Sequence, residues 1–326
     1  MIEGGGSRIT FLDGWRGLAI LTVLFGHFGH IEPEFGNLGV ELFFVLSGRL
    51  MAQILFEKQL RLPTFFKRRF SRIYPALLVY VSAIALLSLV AAIMGKNRGA
   101  DLFSVLAALT FTANYMPALG HPIAGTLDHV WSLAVEEHCY ALLATIALLT
   151  ARRSRRARSI CVALAVLAMI NGARLFFEGA GGIHEIYWRT DVRLAPIFLS
   201  AALYLWKPKK FGFTALALSM LVFGFLPLPV RFIVPTIGLA WSVNAIDHSS
   251  PRLLKALSNP LLMWVGTVSY SLYLWQQLFY KMTNGNPVAL VPVFAIAWLS
   301  YRYVEQPARR AINSMTFRFV PRARSI

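Results

Sequence analysis

The chain has 326 residues, of which 57% are hydrophobic and only 14% are charged. A soluble protein of this length needs more charge to cover its surface, so these proportions exclude an ordinary soluble enzyme. The formal net charge of +17 could indicate nucleic-acid binding, but the basic residues cluster between apolar runs, as they do in the cytoplasmic loops of membrane proteins. We therefore expect an all-α, polytopic membrane protein that binds no nucleic acid.

About ten apolar runs of membrane-crossing length follow one another along the chain. At 1.5 Å per residue, about 20 residues match a hydrocarbon core of roughly 30 Å. These spans form a single integral-membrane domain over residues 11–307, between a flexible N-terminus (1–10) and a basic cytoplasmic tail (308–326). The predicted spans are residues 14–30, 37–56, 74–94, 129–150, 159–177, 190–206, 211–226, 230–246, 259–281 and 288–304.

The basic residues predict the orientation of these spans in a plasma (inner) membrane. FFKRRFSR (65–72) and ARRSRRAR (151–158) lie between spans, and both are expected on the cytoplasmic side. The apolar stretch 101–116 between them then makes no net crossing, so we expect a re-entrant or interfacial helix there. With both termini cytoplasmic, most of the 32 basic residues fall in inner segments.

Ionisable side chains on the first two spans are costly in hydrocarbon and therefore indicate function. Arg16 lies near the inner end of the first span and His27 near its outer end, about 16 Å apart on the helical rise. Glu41 lies on the second span at a depth similar to that of His27. Because a short link makes these spans antiparallel neighbours, we expect a hydrogen bond between Glu41 and His27, typical of an oriented general base.

The inner end of the bundle carries a second polar group. Arg16 and Arg49 lie near the basic loop 67–72, and Ser47 and Gly48 directly precede Arg49. Guanidinium groups match phosphate oxygens, so we expect a phosphate site at this end and a passage from it to His27. Acyl-CoA fits such a passage, since it has a phosphorylated head, a long thin arm and a reactive thioester at the tip.

Six segments, in this order, resemble the landmarks of the membrane-bound acyltransferase-3 family. They are FLDGWRGLAILTVLFGHF, GVELFFVLSGRL, FFKRRFSRIYPALL, HVWSLAVEEHCY, VSYSLYLWQ and YRYVEQP, and they extend from residue 11 to residue 307. The resemblance implies an acyltransferase that moves an acyl group, commonly acetyl from acetyl-CoA, to a hydroxyl of a carbohydrate, a glycolipid or a small-molecule acceptor. Acyl-CoA would then be a co-substrate, with no tightly bound cofactor and no metal.

The resemblance and the depths of the side chains together give each candidate residue a role. His27 is the expected base, with Glu41 and Glu136 as further catalytic residues. Gln276 stands where the family often has histidine, so we expect no second base at that position. The donor site is expected to contain Arg16, Phe44, Ser47, Gly48, Arg49, Arg69 and Arg72, and the acceptor site Trp131, Ser132, Arg174, Arg193, Tyr270 and Gln276.

Two mechanisms and two other functions stay open at this point. His27 either activates the acceptor hydroxyl for direct transfer or carries the acyl group itself. Arg174, Arg193 or Tyr270 would stabilise the oxyanion. A secondary transporter or a flippase is the alternative, because buried ionisable groups also mark transport pathways, although the sequence shows no inverted repeats. The sequence carries no signal for an oligomeric state.

Overall fold

The computed structural model describes residues 10–29, 34–95, 99–208, 210, 214–215, 219, 230 and 233–315. All regular secondary structure in this part of the chain is helical, which confirms the predicted all-α class. Predicted span 211–226 lies almost entirely outside the described residues. The helices are α1 (Thr10–Phe28), α2 (Glu34–Ala52), α3 (Leu62–Ile93), α4 (Leu102–Leu109), α5 (Trp131–Leu149), α6 (Ser154–Phe177), α7 (Ile183–Tyr187), α8 (Thr190–Arg193), α9 (Ala195–Trp206), α10 (Val234–Ala245), α11 (Pro251–Leu257), α12 (Pro260–Thr283), α13 (Leu290–Ser300) and α14 (Gln306–Ser314).

Short π-helical segments, Gln53–Glu57 and Tyr301–Glu305, extend α2 and join α13 to α14. With these extensions, five described helical segments are long and apolar enough to cross a membrane. Their outer faces expose large apolar side chains, which would be unfavourable in water. The chain is therefore a multi-pass membrane protein, whereas the count of ten spans and the position of both termini stay predictions. The five segments are Phe35–Glu57, Leu62–Ile93, Asp128–Leu149, Ser154–Phe177 and Pro287–Ser314.

Burial places α2 at the centre of the bundle. Of its most apolar stretch, 72% is buried, against 28% for α3 and for α6. α1 packs against both α2 and α12, while α9 and α10 also contact α2. The side chains of α2 therefore meet different neighbours on different faces of the helix.

The position of α1 is fixed by close contact between backbones. A Cβ atom on Gly266 of α12 would lie 1.8 Å from the carbonyl oxygen of Asp13, so only glycine permits this crossing. A Cβ atom on Gly39 of α2 would likewise come within 2.5 Å of the carbonyl oxygen of Ala19. Small residues at such crossings let membrane helices approach each other closely. The helix that carries Arg16 and His27 is thereby held between α2 and α12.

The apolar stretch 101–116 contains α4 and the turns that follow it. α4 has eight residues and is about 12 Å long, which is too short for a hydrocarbon core of roughly 30 Å. Asp101 caps α4 by accepting a 2.8 Å hydrogen bond from the backbone N–H of Ser104. Residues 101–116 thus do not form one crossing helix, and their re-entrant or interfacial position stays a prediction.

Candidate active site

Arg16 and His27 lie on the same face of α1. Eleven residues complete about three helical turns, so the two side chains point in nearly the same direction, roughly 16 Å apart along the axis. Arg16 lies beside Arg69 and Arg72 at one end, and His27 contacts Gln276 and Tyr280 at the other. We call these groups the arginine end and the histidine end.

A cavity of about 80 Å³ leads from the arginine end towards the histidine end. It lies between α1, α2, α3, α5 and α12, and along α2 it extends from Met51 to Val40, a length of roughly 16 Å. This long and narrow shape suits an extended ligand. The predicted site residues that line it are Arg16, Phe44, Ser47, Arg69, Arg72, Ser132, Glu136 and Tyr270.

The three guanidinium groups of the arginine end differ in their partners. Arg69 lies 3.3 Å from Glu137 and stacks 4.0 Å from the ring centre of Tyr140, while Arg16 lies 3.2 Å from Asp13. No residue that the structure describes forms a hydrogen bond or ion pair with Arg72. A half-buried guanidinium group without a bound carboxylate can accept an anionic ligand at little cost.

Glu136 belongs to the arginine end. Its carboxylate accepts hydrogen bonds from Ser47 Oγ at 2.9 Å and from Tyr140 Oη at 2.6 Å, and it lies 3.7 Å from Arg69. These contacts place Glu136 beside Arg69, and its expected catalytic role stays a prediction.

The histidine end holds one imidazole in a defined orientation. His27 Nδ1 lies 2.6 Å from Gln276 Oε1, and Tyr280 stacks on the ring with the two ring centres 4.4 Å apart. Because an amide oxygen only accepts, Nδ1 carries the proton and Nε2 keeps its lone pair. Nε2 lies next to Gly36, since a Cβ atom added to Gly36 would be 3.6 Å from Nε2. No described residue forms a hydrogen bond with Nε2.

The predicted hydrogen bond between Glu41 and His27 is wrong. Glu41 instead accepts hydrogen bonds from Arg193 and Thr236, on the face of α2 that meets α9 and α10. Gly36, not Glu41, is level with His27. Glu41 is five residues further along α2, so it lies roughly 7.5 Å from that level and points about 140° away from Gly36. Gln276 takes the place of the expected carboxylate.

Arg49 and Gly48 lie outside the predicted donor site. Arg49 donates hydrogen bonds to the carbonyl oxygen of Val243 and to Asp247, both at 2.6 Å, and only 4% of its surface is exposed. Gly48 packs against the backbone of Ile197, whose carbonyl oxygen would lie 2.0 Å from an added Cβ atom. Both residues join helices, and neither lines the cavity.

The residues expected around the oxyanion do not meet His27. Arg174 pairs with Glu178 on the surface of α6, with 54% of its side chain exposed, and Arg193 pairs with Glu41. Tyr270 lines the cavity but donates its hydroxyl proton to the carbonyl oxygen of Ile73.

Two residues predicted for the acceptor site belong to α5. Trp131 stacks on Trp188 in a buried aromatic cluster, with ring centres 5.9 Å apart. Ser132 lines the cavity and shares a 2.7 Å hydrogen bond with Tyr273. The structure therefore brings Ser132, but not Trp131, to the cavity.

The passage predicted between the arginines and His27 is interrupted. The lining residues nearest to the histidine end are Val40, Ser132 and Tyr273. His27 itself does not line the cavity. Gln276 lies three residues beyond Tyr273 on α12, which is about 4.5 Å along the axis. The cavity therefore stops roughly one helical turn before the histidine end.

Several site residues were missed at the level of sequence. Tyr140 and Glu137 hold Arg69, and Tyr280 stacks on His27. The spacing of Glu136 and Tyr140, four residues apart on a helix, could have indicated their contact. Tyr280 follows Gln276 by the same spacing, and this pattern could have placed both residues beside one partner.

The chain is similar to known acyltransferases over most of its length. A family model described as an acyltransferase domain matches residues 9–302. "O-acetyltransferase OatA" of Staphylococcus aureus (strain MRSA252) is 27% identical over 96% of this chain and 59% of its own length. "Putative peptidoglycan O-acetyltransferase YrhL" of Bacillus subtilis (strain 168) is 27% identical over 92% of this chain and 55% of its own length.

A further relative in Staphylococcus aureus (strain COL), named "Putative O-acetyltransferase", is 26% identical over 95% of this chain and 59% of its own length. The chain therefore spans a little over half the length of the curated relatives that it matches. No solved structure matches the chain.

Proposed function

Because this chain belongs to the acyltransferase-3 family, we propose that it transfers an acyl group, most simply acetyl, from acyl-CoA to a hydroxyl of a carbohydrate, a glycolipid or a related acceptor. One observation carries this proposal: Arg16 and His27 share a face of α1, and a narrow cavity extends from the arginine beside that face. Acyl-CoA likewise has phosphate groups at one end and a reacting carbonyl at the other, joined by a long thin arm.

The arginine end is the proposed site for the nucleotide phosphates. Arg72 has no bound carboxylate among the described residues and lies beside Arg16 at the mouth of the cavity. Arginine matches phosphate oxygens with paired N–H donors. Since acyl-CoA is a cytoplasmic metabolite, we place this end at the cytoplasmic face, in agreement with the basic loops of the sequence.

At the histidine end, His27 acts as the general base. Its Nε2 takes the proton from the acceptor hydroxyl while the hydroxyl oxygen attacks the thioester carbonyl. The tetrahedral intermediate then collapses, the carbon–sulfur bond breaks, and the CoA thiolate leaves with the proton that His27 held. Gln276 fixes the tautomer, because its amide oxygen accepts the proton of Nδ1 and keeps Nε2 available as a base.

The names of the relatives support the class of acceptor. One relative is named for O-acetylation of peptidoglycan, and another as an O-acetyltransferase. Peptidoglycan and other surface polysaccharides offer many hydroxyls outside the membrane. A cytoplasmic donor and an outer acceptor would then meet from opposite sides of the bundle, near His27.

The first prediction tests the base. The full chain, purified in lipid nanodiscs, should acetylate a soluble chito-oligosaccharide or glycolipid acceptor from radiolabelled acetyl-CoA, with release of one thiol per product. His27→Ala should lower this turnover at least 100-fold, within the range that general-base catalysis supplies, while the melting temperature stays close to that of the unmodified chain. Its matched control, His121→Ala, changes an exposed histidine outside the cavity and should retain turnover. Full activity in the His27→Ala protein would contradict the proposal.

A further inference from the structure

Two aromatic side chains stand at the end of the cavity that is nearer to His27. The rings of Phe43 and Tyr273 meet edge to face, with centres 6.4 Å apart and planes inclined by 69°. Side chains on helices lean towards the N-terminus, and for Phe43 this is the direction of Val40, which lines the same end of the cavity.

The two rings are held differently. The hydroxyl of Tyr273 donates a 2.8 Å hydrogen bond to the carbonyl oxygen of His129 and shares a 2.7 Å hydrogen bond with Ser132. These bonds fix Tyr273 in a buried position with 7% of its surface exposed. Phe43 has no polar group in its side chain and is held by packing alone. Of the two, Phe43 is therefore the residue whose size can change without loss of a hydrogen bond.

In the proposed reaction, one acceptor hydroxyl has to lie between this end of the cavity and His27. Along α12, Gln276 lies about 4.5 Å beyond Tyr273, and Gln276 holds the ring of His27. A hydroxyl oxygen needs about 3 Å to the base and about 3–3.5 Å to the carbonyl carbon. The acceptor hydroxyl would therefore occupy the interval along α12 between Tyr273, at the end of the cavity, and Gln276.

We propose that Phe43 and Tyr273 form the end wall of an acyl subsite, and that Phe43 limits the donor to short acyl groups. This inference rests on the proposed acyl-CoA-dependent transfer. The carbonyl stops at the wall, and the methyl group of an acetyl donor fills the remaining space against the Phe43 ring. Each further methylene of a longer donor has to displace one of the two rings or withdraw the carbonyl from His27.

The expected selectivity is large enough to measure. In a closely packed site, one methylene changes kcat/KM by about 10-fold to 200-fold. We therefore expect the unmodified chain to prefer acetyl-CoA over butyryl-CoA by about 100-fold or more, since butyryl has two further methylenes. Phe43→Ala removes the ring and should reduce this preference at least tenfold.

The test compares acetyl-CoA, propionyl-CoA and butyryl-CoA as donors for the full chain in nanodiscs, with kcat/KM measured for each. Leu50→Ala is the matched control. Leu50 lines the same cavity but lies seven residues from Phe43 along α2, towards the arginine end. Its loss should leave the ratio of kcat/KM for acetyl-CoA to that for butyryl-CoA unchanged. Phe43→Leu is a milder change that preserves folding if alanine does not, and it should shift the ratio in the same direction.

The outcomes separate this inference from the proposed function. If the unmodified chain transfers acetyl groups but Phe43→Ala and Phe43→Leu keep its donor preference, the acyl subsite is elsewhere and the inference is overturned. An equal shift in Leu50→Ala would also overturn it, because selectivity would then follow the cavity volume in general. If the unmodified chain uses no acyl-CoA at all, the proposed function fails and the inference fails with it.

Discussion

Arg49 and Arg72 are both predicted near the same membrane surface, but they differ in their contacts. Arg49 is saturated by Asp247 and by the carbonyl oxygen of Val243. Arg72 faces the cavity beside Arg16, without an ion-pair partner among the described residues. The partners of Arg49 connect α2 to the chain around α10, whereas we propose that Arg72 binds an anionic group of the donor.

Paired substitutions separate these two uses. Arg49→Met removes hydrogen bonds to Asp247 and to the buried carbonyl oxygen of Val243 and should lower the melting temperature by several degrees, since a buried acceptor left without its donor costs about 1–3 kcal/mol. It should leave the affinity for acetyl-CoA nearly unchanged. Arg72→Met should instead weaken acetyl-CoA binding about tenfold or more and change the melting temperature little.

Thermal shift with and without acetyl-CoA measures the melting temperature of each variant, and calorimetric titration measures its affinity for acetyl-CoA. Asp247→Asn serves as the second control, because it breaks the same ion pair from the other side and should resemble Arg49→Met. If Arg49→Met and Asp247→Asn both bind acetyl-CoA more weakly, Arg49 belongs to the donor site and the prediction is wrong.

At the scale of the helices, α2 presents two faces with separate neighbours. Gly36, Val40, Phe43 and Ser47 follow one stripe that faces His27 and the cavity, since residues three and four apart share a face. Glu41 lies on another face, beside Arg193 of α8. One helix thus contributes to the ligand space and also carries a buried ion pair that holds it against its neighbours.

The short helix α4 depends on its N-terminal cap. Asp101→Ala should let the backbone amides of α4 exchange with solvent about fivefold faster, because an N-cap contributes about 1 kcal/mol. Asp101→Asn keeps an equivalent cap and should exchange at the original rate. Hydrogen–deuterium exchange with mass spectrometry of the peptide over 102–109 measures this effect, and equal rates in the alanine variant would show that α4 is held by packing alone.

The same cap should depend on pH. Hydrogen bonds from the side chain and the backbone N–H of Ser104 lower the pKa of Asp101. The stabilisation is therefore complete above the unfolded value of about 3.9 and disappears as the pH falls through the lowered pKa. The asparagine cap does not titrate, so its contribution should persist at low pH.

At the scale of the whole molecule, the orientation of the bundle decides whether the arginine end meets cytoplasmic acyl-CoA. The basic loops predict that Arg155 lies in the cytoplasm and that His121, after α4, lies outside. Cys139 and Cys161 are buried, so cysteines introduced at exposed positions can be labelled selectively.

A membrane-impermeant thiol reagent tests this orientation in intact cells. His121→Cys should be labelled at once, and Arg155→Cys only after the membrane is permeabilised, with the unmodified chain as the unlabelled control. The reverse pattern would place the arginine end outside, where acyl-CoA is absent, and would contradict the proposed donor site.

The sequence by itself determined the helical membrane class, the family and the presence of arginines and a histidine at two depths on α1. Composition, apolar run length and charge clusters decide the membrane class, and the six ordered segments indicate the family; all of these can be read from the chain without its tertiary structure. The spacing of Arg16 and His27 also follows directly from the helical repeat.

Only the tertiary structure decided which side chains meet. Depth along a helix follows from residue number, but the rotation of each helix about its axis depends on how its neighbours pack. For this reason Glu41 contacts Arg193 on a different face of α2 from the one predicted, and Gln276, not Glu41, holds His27. The wall of Phe43 and Tyr273 likewise exists only because α2 and α12 bring two rings together from distant parts of the chain.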